Sequence, residues 1–242
     1  MSAGRYYCPE LNVGPLPLPS EEARHFTVSR RGRAGDALTL FDGQGREADG
    51  VVHRIRRKEV IVEVGSIRER PFELPIRLSL ASAVARQQRQ AYLVEKCTEL
   101  GLDAYIPLIT DRGVAKVDGH ALEKWRRRAV EAAKQAERAW VTRMEPPQEV
   151  DELLSRGNRF DLTLVAHPRI EAVPLSSALS GLPRPATVLV LIGPEGGWSD
   201  RERAAMTLRG AMFVSLGPLI LRTETAAVAT CAVAAAQSVE RR

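Results

Sequence analysis

The sequence is poor in the residues that build metal centres, redox motifs and disulfide frameworks. It contains only three cysteines and four histidines in 242 residues. The cysteines, Cys8, Cys97 and Cys231, lie far apart, and none belongs to a Cys-x-x-Cys pair. Zinc ribbons, redox motifs and disulfide-stabilised folds are therefore poorly supported. We expect reduced cysteines and no bound metal.

Long apolar runs are also missing. No stretch is long enough to span a bilayer. The first residues, Met-Ser-Ala-Gly-Arg-Tyr-Tyr, lack the charged-then-apolar pattern of a secretory signal. These absences predict a cytoplasmic protein that has no membrane partner.

The common phosphate-binding motifs do not occur. A P-loop needs Gly-Lys-Ser or Gly-Lys-Thr, and neither is present. No Gly-x-Gly-x-x-Gly motif opens an early β-α-β unit, as a dinucleotide-binding fold requires. Nucleoside triphosphates and nicotinamide dinucleotides are therefore weak candidates for the ligand.

The charge balance is basic, with 35 Lys and Arg against 30 Asp and Glu, a net charge of +5. This excess is compatible with a polyanionic partner but does not require one. Arginines cluster at residues 30–33, 54–58, 86–89 and 126–128. A nucleic-acid contact and a solvated face both fit such clusters, and we favour a solvated face for residues 126–128.

The chain changes character near residues 70–75, Arg-Pro-Phe-Glu-Leu-Pro. Before this point, short β-branched runs alternate with glycine-rich turns, which is typical of a small β-barrel. After it, strand-like and helix-like runs alternate, which predicts an α/β fold with a largely parallel sheet. We therefore predict two domains, residues 1–72 and 73–242.

Several helices have recognisable ends. Ser20 is a candidate N-cap of a short first helix, and Ser199 with Glu202 matches a capping box. Gly101 and Gly210 stand where two helices should end. The helices predicted by these signals and by apolar periodicity cover residues 87–100, 120–140, 200–209 and 225–239.

Two glycine-containing segments near the C-terminus are the most informative feature. Residues 189–197 read Leu-Val-Leu-Ile-Gly-Pro-Glu-Gly-Gly, and residues 216–226 read Leu-Gly-Pro-Leu-Ile-Leu-Arg-Thr-Glu-Thr-Ala. Each segment follows an apolar strand-like run and precedes a helix. Glycine lets a ligand lie against bare backbone, whose amides and carbonyls can bind it. A tight turn without a ligand is the alternative for either segment taken alone.

These two segments resemble the motifs of the bacterial 16S rRNA uridine-N3 methyltransferase family, in the trefoil-knot (SPOUT) class of S-adenosylmethionine (SAM) enzymes. Residues 95–101, 107–112 and 133–138 resemble further motifs of the family, in the same order. Residues 25–30 and 35–43 resemble its small N-terminal β-barrel, a PUA-like RNA-binding domain. The resemblance thus covers nearly the whole chain.

The resemblance implies a knotted, largely parallel α/β methyltransferase domain at the C-terminus. It implies that SAM is held mainly by the backbone of three loops, at residues 166–167, 192–197 and 216–222. It also implies a homodimer with the last helix in the interface. The implied cofactor-binding residues are Ala166, His167, Ile192, Gly193, Pro194, Glu195, Gly196, Gly197, Leu216, Gly217, Leu219, Leu221 and Arg222.

The implied nucleophile is N3 of uracil, which must lose a proton during methylation. Arg222 and Glu224 are the catalytic candidates: Arg222 could stabilise the anionic ring, and Glu224 could accept the proton. A carboxylate in the first turn of a helix also compensates the helix dipole, which leaves a structural role open for Glu224. Glu195 has a similar alternative, the capping of the Gly196 and Gly197 amides.

The implied RNA contacts come from both halves of the chain, and phosphate contacts give affinity without sequence information. The chain departs from the family pattern at Leu219, where arginine is usual, and at Lys134, where an acidic residue is usual. Gln135 and Arg138 stand one turn apart on the polar side of their predicted helix. The candidate RNA-binding residues are His25, Arg30, Arg31, Arg86, Lys96, Arg112, Gln135 and Arg138.

The resemblance therefore predicts SAM-dependent methylation of uridine N3 in 16S rRNA, with the assembled small ribosomal subunit as substrate. One alternative is a knotted methyltransferase that acts on another nucleotide of rRNA or tRNA. A second is a non-catalytic RNA-binding protein of the same fold that assists ribosome assembly. Affinity for SAM separates the enzymes from the binding protein.

Overall fold

The computed structural model describes residues 4–57, 59–113, 117–155, 159–167 and 172–237. Spatial contacts divide the chain into two compact units. The first unit contains Met1–Glu73 together with Ala133–Val141, and the second contains Leu74–Ala132 together with Thr142–Arg242. Among the described residues, no helix has the length and apolar character needed to cross a membrane.

The first unit is built on a five-stranded sheet in the order β1-β3-β4-β5-β2. Strand β1 pairs with β3 in parallel, and the other neighbouring strands are antiparallel. A short helix, α1 (Ser20–Arg24), continues into a π-helical turn at His25–Ser29. The strands are β1 (Gly4–Tyr7), β2 (Gly14–Pro17), β3 (Ala37–Phe41), β4 (Arg46–Arg56) and β5 (Glu59–Glu69).

The core of this unit follows from alternation along its strands. In β5, Val60, Val62 and Val64 are buried while the residues between them are less so. This is the pattern of a sheet with one face covered. The predicted N-cap at Ser20 is wrong by one position, because the helix begins at Ser20 and Pro19 occupies the cap.

Residues Ala133–Val141 join the first unit through backbone and aromatic contacts. The amide of Gly45 donates to the carbonyl of Ala139, and the indole Nε1 of Trp140 donates to the carbonyl of Arg70 at 3.0 Å. The ring of Phe72 packs edge-on against Trp140. A segment from the middle of the sequence thus completes the N-terminal unit.

The second unit is built on an eight-stranded sheet in which every observed strand pair is parallel. Its order is β11-β13-β10-β12-β6-β7-β8, and β9 also pairs with β7. This arrangement confirms the predicted parallel sheet. The strands are β6 (Ile76–Ala83), β7 (Ala104–Ile109), β8 (Arg143–Met144), β9 (Gln148–Glu149), β10 (Leu162–Ala166), β11 (Val173–Pro174), β12 (Ala186–Ile192) and β13 (Met212–Ser215).

The central strands β6 and β12 are buried along almost their whole length, as expected for strands covered on both faces. The helices of this sequence region are α2 (Gln87–Glu99), α3 (Gly119–Gln135), α4 (Val150–Ser155), α5 (Leu175–Ser180), α6 (Asp200–Leu208) and α7 (Thr223–Ala236). The threading of the C-terminal strands into a knot stays a prediction.

Two predicted helices differ from the observed ones. The helix predicted to residue 140 ends at Gln135, and Glu137 takes a left-handed backbone conformation with φ of 55°. The last helix begins two residues earlier than predicted, at Thr223, and its predicted end at residue 239 lies outside the described residues. The capping box at Ser199 and Glu202 is confirmed.

Candidate active site

A cavity of about 440 Å³ opens at the carboxyl ends of β10, β12 and β13. These strands are parallel, so the loops that follow them meet at one edge of the sheet, where α/β proteins bind ligands. The cavity is lined by every residue assigned above to the cofactor: Ala166, His167, Ile192, Gly193, Pro194, Glu195, Gly196, Gly197, Leu216, Gly217, Leu219, Leu221 and Arg222.

Other lining residues were not assigned to the cofactor from the sequence. Thr223 and Ala226 belong to the second glycine segment, but only its first half was taken as the binding loop. Trp198 directly follows Gly197, and this position beside the glycines could have identified it as a lining residue from the sequence. The residues added by the structure are Arg112, Trp198, Arg203, Ile220, Thr223 and Ala226.

The glycines shape this cavity for different physical reasons. A Cβ on Gly193 would come within 2.9 Å of the buried Trp198 ring, so the indole packs where a side chain would stand. Gly197 and Gly217 have φ of 71° and 118°, which L residues with a side chain rarely adopt. The loops therefore require glycine for backbone shape as well as for close packing.

A hydrogen bond joins the two glycine segments. The Thr223 hydroxyl donates to the carbonyl of Gly193 at 3.1 Å. Because Thr223 is the first residue of α7 and Gly193 directly follows β12, this bond fixes the end of a strand to the start of a helix. The cavity walls are thereby held together before any ligand binds.

A third connection comes from the loop after β7. The Arg112 guanidinium donates to the carbonyl of Gly196 at 2.9 Å. The neighbouring Asp111 accepts from the Ser199 hydroxyl at 2.5 Å and from Arg201 at 2.7 Å. The buried carboxylate of Glu202 accepts from the backbone amides of Asp111 and Ser199. The start of α6 thus anchors the loop that carries Arg112.

The charge of Asp111 is stabilised by these contacts. The hydrogen bond from Arg201, and then the one from Ser199, hold the pKa of Asp111 below its usual value. A lowered carboxyl pKa means that the stabilisation is present above the ordinary aspartate pKa and is lost as pH falls through the lowered one. The loop is therefore anchored fully at neutral pH.

The two catalytic candidates lie together at the start of α7. Arg222 is the exposed N-cap residue and lines the cavity. Glu224 is buried in the first helical turn, and its Oε1 lies 3.6 Å from Nε of Arg89 on α2. The helix N-terminus and this guanidinium both place positive charge beside the carboxylate. Arg89 was not selected as a site residue from the sequence.

Of the candidate RNA contacts, only Arg112 lines the cavity. Arg86 is exposed at the N-cap of α2. Lys96, on the same helix, pairs with Glu99 and Glu95, which raise its pKa. Lys96 therefore already has two carboxylate partners.

The remaining candidates, His25, Arg30, Arg31, Gln135 and Arg138, belong to the first unit. The expectation that Gln135 and Arg138 share a polar helix face is wrong, because α3 ends at Gln135. Arg138 is only 4% exposed and pairs with Glu73 at 3.2 Å, with its guanidinium over the Phe72 ring. Its role in RNA binding stays a prediction.

The cavity fits SAM in size and in chemistry. Its volume is in the range of small-molecule sites. Ile192, Leu216 and Leu221 supply apolar surface suited to an adenine ring, while the glycines expose backbone amides and carbonyls. Among the described residues, no group of three or more His, Cys, Asp or Glu could hold a metal ion.

Comparison with known proteins agrees with this geometry. Residues 72–235 match the family profile of an RNA methyltransferase domain, and residues 18–65 match that of an RNA methyltransferase PUA domain. The chain is 32% identical to ribosomal RNA small subunit methyltransferase E of Bacillus subtilis, over 86% of this chain and 85% of that one.

Solved structures show the same likeness. A methyltransferase from Legionella pneumophila, solved with bound SAM, is 32% identical with a TM-score of 0.87 and covers 98% of both chains. Ribosomal RNA small subunit methyltransferase E of Neisseria gonorrhoeae, also bound to SAM, is 29% identical with a TM-score of 0.84 and covers 96% of both chains.

Proposed function

The chain belongs to the RNA methyltransferase family that includes ribosomal RNA small subunit methyltransferase E, and on that premise we propose that it methylates N3 of a specific uridine. Family membership makes it a SAM-dependent rRNA methyltransferase. The proposed substrate is 16S rRNA in the assembled small ribosomal subunit. Structured RNA is recognised through its shape and its splayed bases, which the assembled particle presents.

The observation that supports this proposal most strongly is the cavity at the strand ends. Three loops, after β10, β12 and β13, converge there with the family's glycine motifs. The residues proposed to hold SAM are the cavity-lining residues that the sequence analysis assigned to the cofactor. When bound, SAM supplies a methyl group on a sulfonium, which is already a good leaving group.

The chain's own residues then have to position the base and remove the proton from its N3 atom. We place Glu224 as the acceptor of the uracil N3 proton, which leaves N3 as the bond to the methyl group forms, because its carboxylate lies at the start of α7 beside the cavity-lining Arg222 and Thr223. We place Arg222, exposed and in the cavity lining, against the negative charge that develops on the ring. Holding the nucleophile in line with the methyl group contributes the rest of the rate enhancement.

We propose residues 1–72 as the RNA-docking domain and residues 73–242 as the methyltransferase domain, with the C-terminal strands threaded as a trefoil knot. His25, Arg30 and Arg31 are the proposed phosphate contacts of the first domain, and Arg86, Lys96 and Arg112 those of the second. Such contacts contribute affinity and orientation rather than base selection.

We further propose a homodimer with α7 in its interface. The side of α7 that the described residues leave exposed or half-exposed carries small and apolar residues at helical spacing: Thr225, Val228, Ala229, Ala232 and Ala236. Small side chains let two helices approach closely. An uncovered face of this composition favours a second copy of the helix as its partner.

Methyl transfer to small subunits that lack native modification tests the reaction. The subunits are incubated with the protein and SAM carrying a labelled methyl group, and the rRNA is digested to nucleosides. The proposal predicts label in 3-methyluridine. Label in another nucleoside would favour a knotted methyltransferase that acts on a different nucleotide. Leu219 makes this alternative worth testing, because it stands exposed in the cavity where the family usually has arginine. Absence of both methyl transfer and SAM binding would indicate that the chain is a non-catalytic RNA-binding protein of the same fold.

A further inference from the structure

Arg89 occupies an electrostatically unusual position. It lies in the first turn of α2, and that turn contains no acidic residue. Arg86 stands at the N-cap of the same helix. The N-terminus of a helix carries positive partial charge, so a cation there is disfavoured unless carboxylates face it. The position of Arg89 therefore calls for acidic partners from elsewhere in the fold.

Those partners come from the two motifs of the active site. Nε of Arg89 lies 3.6 Å from Oε1 of Glu224, and its Nη1 lies 3.9 Å from Oε1 of Glu195. Glu195 belongs to the loop after β12, and Glu224 belongs to the first turn of α7. One guanidinium thus connects the two segments that carry the family motifs.

The second oxygen of Glu224 is different. The side chain of Glu224 is only 10% exposed, and Oε2 is buried without a hydrogen-bond partner within the described part of the chain. A buried acceptor left without a donor costs free energy, and the cost is larger when the acceptor is charged. A ligand that brings a donor would remove this cost.

We infer that Arg89 is a positioning residue, which holds Glu224 through Oε1 and so presents Oε2 as a fixed acceptor for the imide N–H of the target base. This inference rests on the proposed function, which supplies the base. The guanidinium lies beside Oε1, so its attraction favours the orientation in which Oε2 is left for the base. A second contact of Arg89, to Glu195, links Glu224 to the loop that lines the cofactor cavity.

A double-mutant cycle with R89Q and E224Q tests the inference. We expect R89Q to lower kcat by about tenfold or more, with KM for small subunits and the Kd for SAM changed less than threefold. Since Arg89 acts through Glu224, adding R89Q to E224Q should lower kcat no further. R128Q is the control, because it removes the same charge from an arginine that pairs, among the described residues, with Glu95; it should keep wild-type kcat.

Three kinetic results would overturn the inference: wild-type kcat in R89Q, additive losses in the double variant, or a loss confined to KM, which would indicate a phosphate contact. Methylation of an atom other than uracil N3 by the wild type would refute the proposed substrate while leaving the cycle readable.

A measurement without substrate covers the case in which no transfer is seen. Arg89 is the charged group that contacts the Glu224 carboxylate among the described residues. In protein labelled with ¹³C at glutamate carboxyls, the Glu224 resonance, assigned by its loss in E224Q, should change its chemical shift in R89Q, because a neighbouring cation has been removed, and should keep its position in R128Q. An unchanged Glu224 resonance in R89Q would show that Arg89 does not act on Glu224.

Discussion

At the scale of single residues, the glycines of the cofactor loops are required for different physical reasons, either close packing or an unusual backbone conformation. Gly193 gives room to Trp198, whereas Gly217 adopts a φ of 118° in open space, with no atom within 4 Å of a Cβ placed there. A substitution at Gly217 therefore tests backbone conformation alone. The sequence motif locates both glycines but does not distinguish these tasks.

Gly217→Ala should weaken SAM binding by about tenfold, because an alanine at this φ costs about 1–3 kcal/mol and the loop must deform to relieve it. Isothermal titration with SAM measures the change. Gly181→Ala is the matched control, since Gly181 also has open space but a φ of −84° that alanine accepts. Equal affinity of the two variants would mean that the Gly217 loop does not hold the cofactor.

The three cysteines should be unreactive in the folded protein. All are free and buried. Burial raises the pKa of the Cys8 thiol to about 12, and the hydrogen bond that the Cys97 thiol makes to Cys231, followed by burial, raises the pKa of Cys97. The thiolate is the reactive form. A thiol-specific dye at pH 8 should therefore label no cysteine in native protein and three after denaturation in guanidinium; rapid labelling of the native protein would contradict this burial.

Lys134, which departs from the family pattern, has a partner in the first unit. Its Nζ lies 3.0 Å from both carboxylate oxygens of Glu22, and both side chains are 8% exposed. Removing one member of a buried pair takes from the other its opposite charge at 3.0 Å. We expect Glu22→Gln to lower the free energy of unfolding by roughly 3 kcal/mol.

Urea denaturation of Glu22→Gln, Lys134→Met and the double variant measures this coupling. The double variant should be less destabilised than the sum of the two single variants, because each single variant already loses the interaction between these two side chains. Additive losses would show that the pair contributes no interaction of its own.

At the scale of elements, local signals were sufficient where the controlling contacts are local. The capping box of α6 needs only Ser199 and Glu202, and buried parallel strands need only a run of apolar residues. The end of α3 was mispredicted because residues 133–141 form contacts with Gly45 and Arg70, far away in sequence. Arg89 was missed for the same reason, since its partners Glu195 and Glu224 are more than a hundred residues away.

The capping residue Glu202 should matter beyond its own helix. Its fully buried carboxylate accepts from the amides of Ser199 and Asp111. Glu202→Ala should therefore lower the free energy of unfolding by about 2 kcal/mol, because two part-buried amide donors lose their acceptor. It should also weaken SAM binding, since the loop that carries Arg112 loses its anchor.

Asp200→Ala provides the comparison for Glu202→Ala in the same turn. The Asp200 side chain is exposed and, in the part of the chain that the structure describes, pairs with its helix neighbour Arg203. The unfolding midpoint and SAM affinity of the variant should therefore stay close to those of the wild type. If the two variants behave alike, the Glu202 contacts do not organise the site.

At the scale of the whole molecule, the proposed dimer depends on the uncovered face of α7. Ala232→Arg places a long charged side chain on this face and should shift the protein to a monomer. Light scattering after size exclusion measures the mass, and methyl transfer measured in parallel should fall with dimer content. Leu208→Arg, at an exposed apolar residue of α6, should leave the mass unchanged. A dimeric Ala232→Arg variant would place the interface elsewhere.

Reverse transcription across the 16S rRNA of treated subunits tests the central claim most directly. A methyl group on N3 occupies the Watson–Crick edge of uracil and stops the polymerase. The account predicts one stop, next to a single uridine, that requires both SAM and this protein and is strong on assembled subunits. No SAM-dependent stop, or many stops scattered over the rRNA, would contradict a site-specific uridine-N3 methyltransferase.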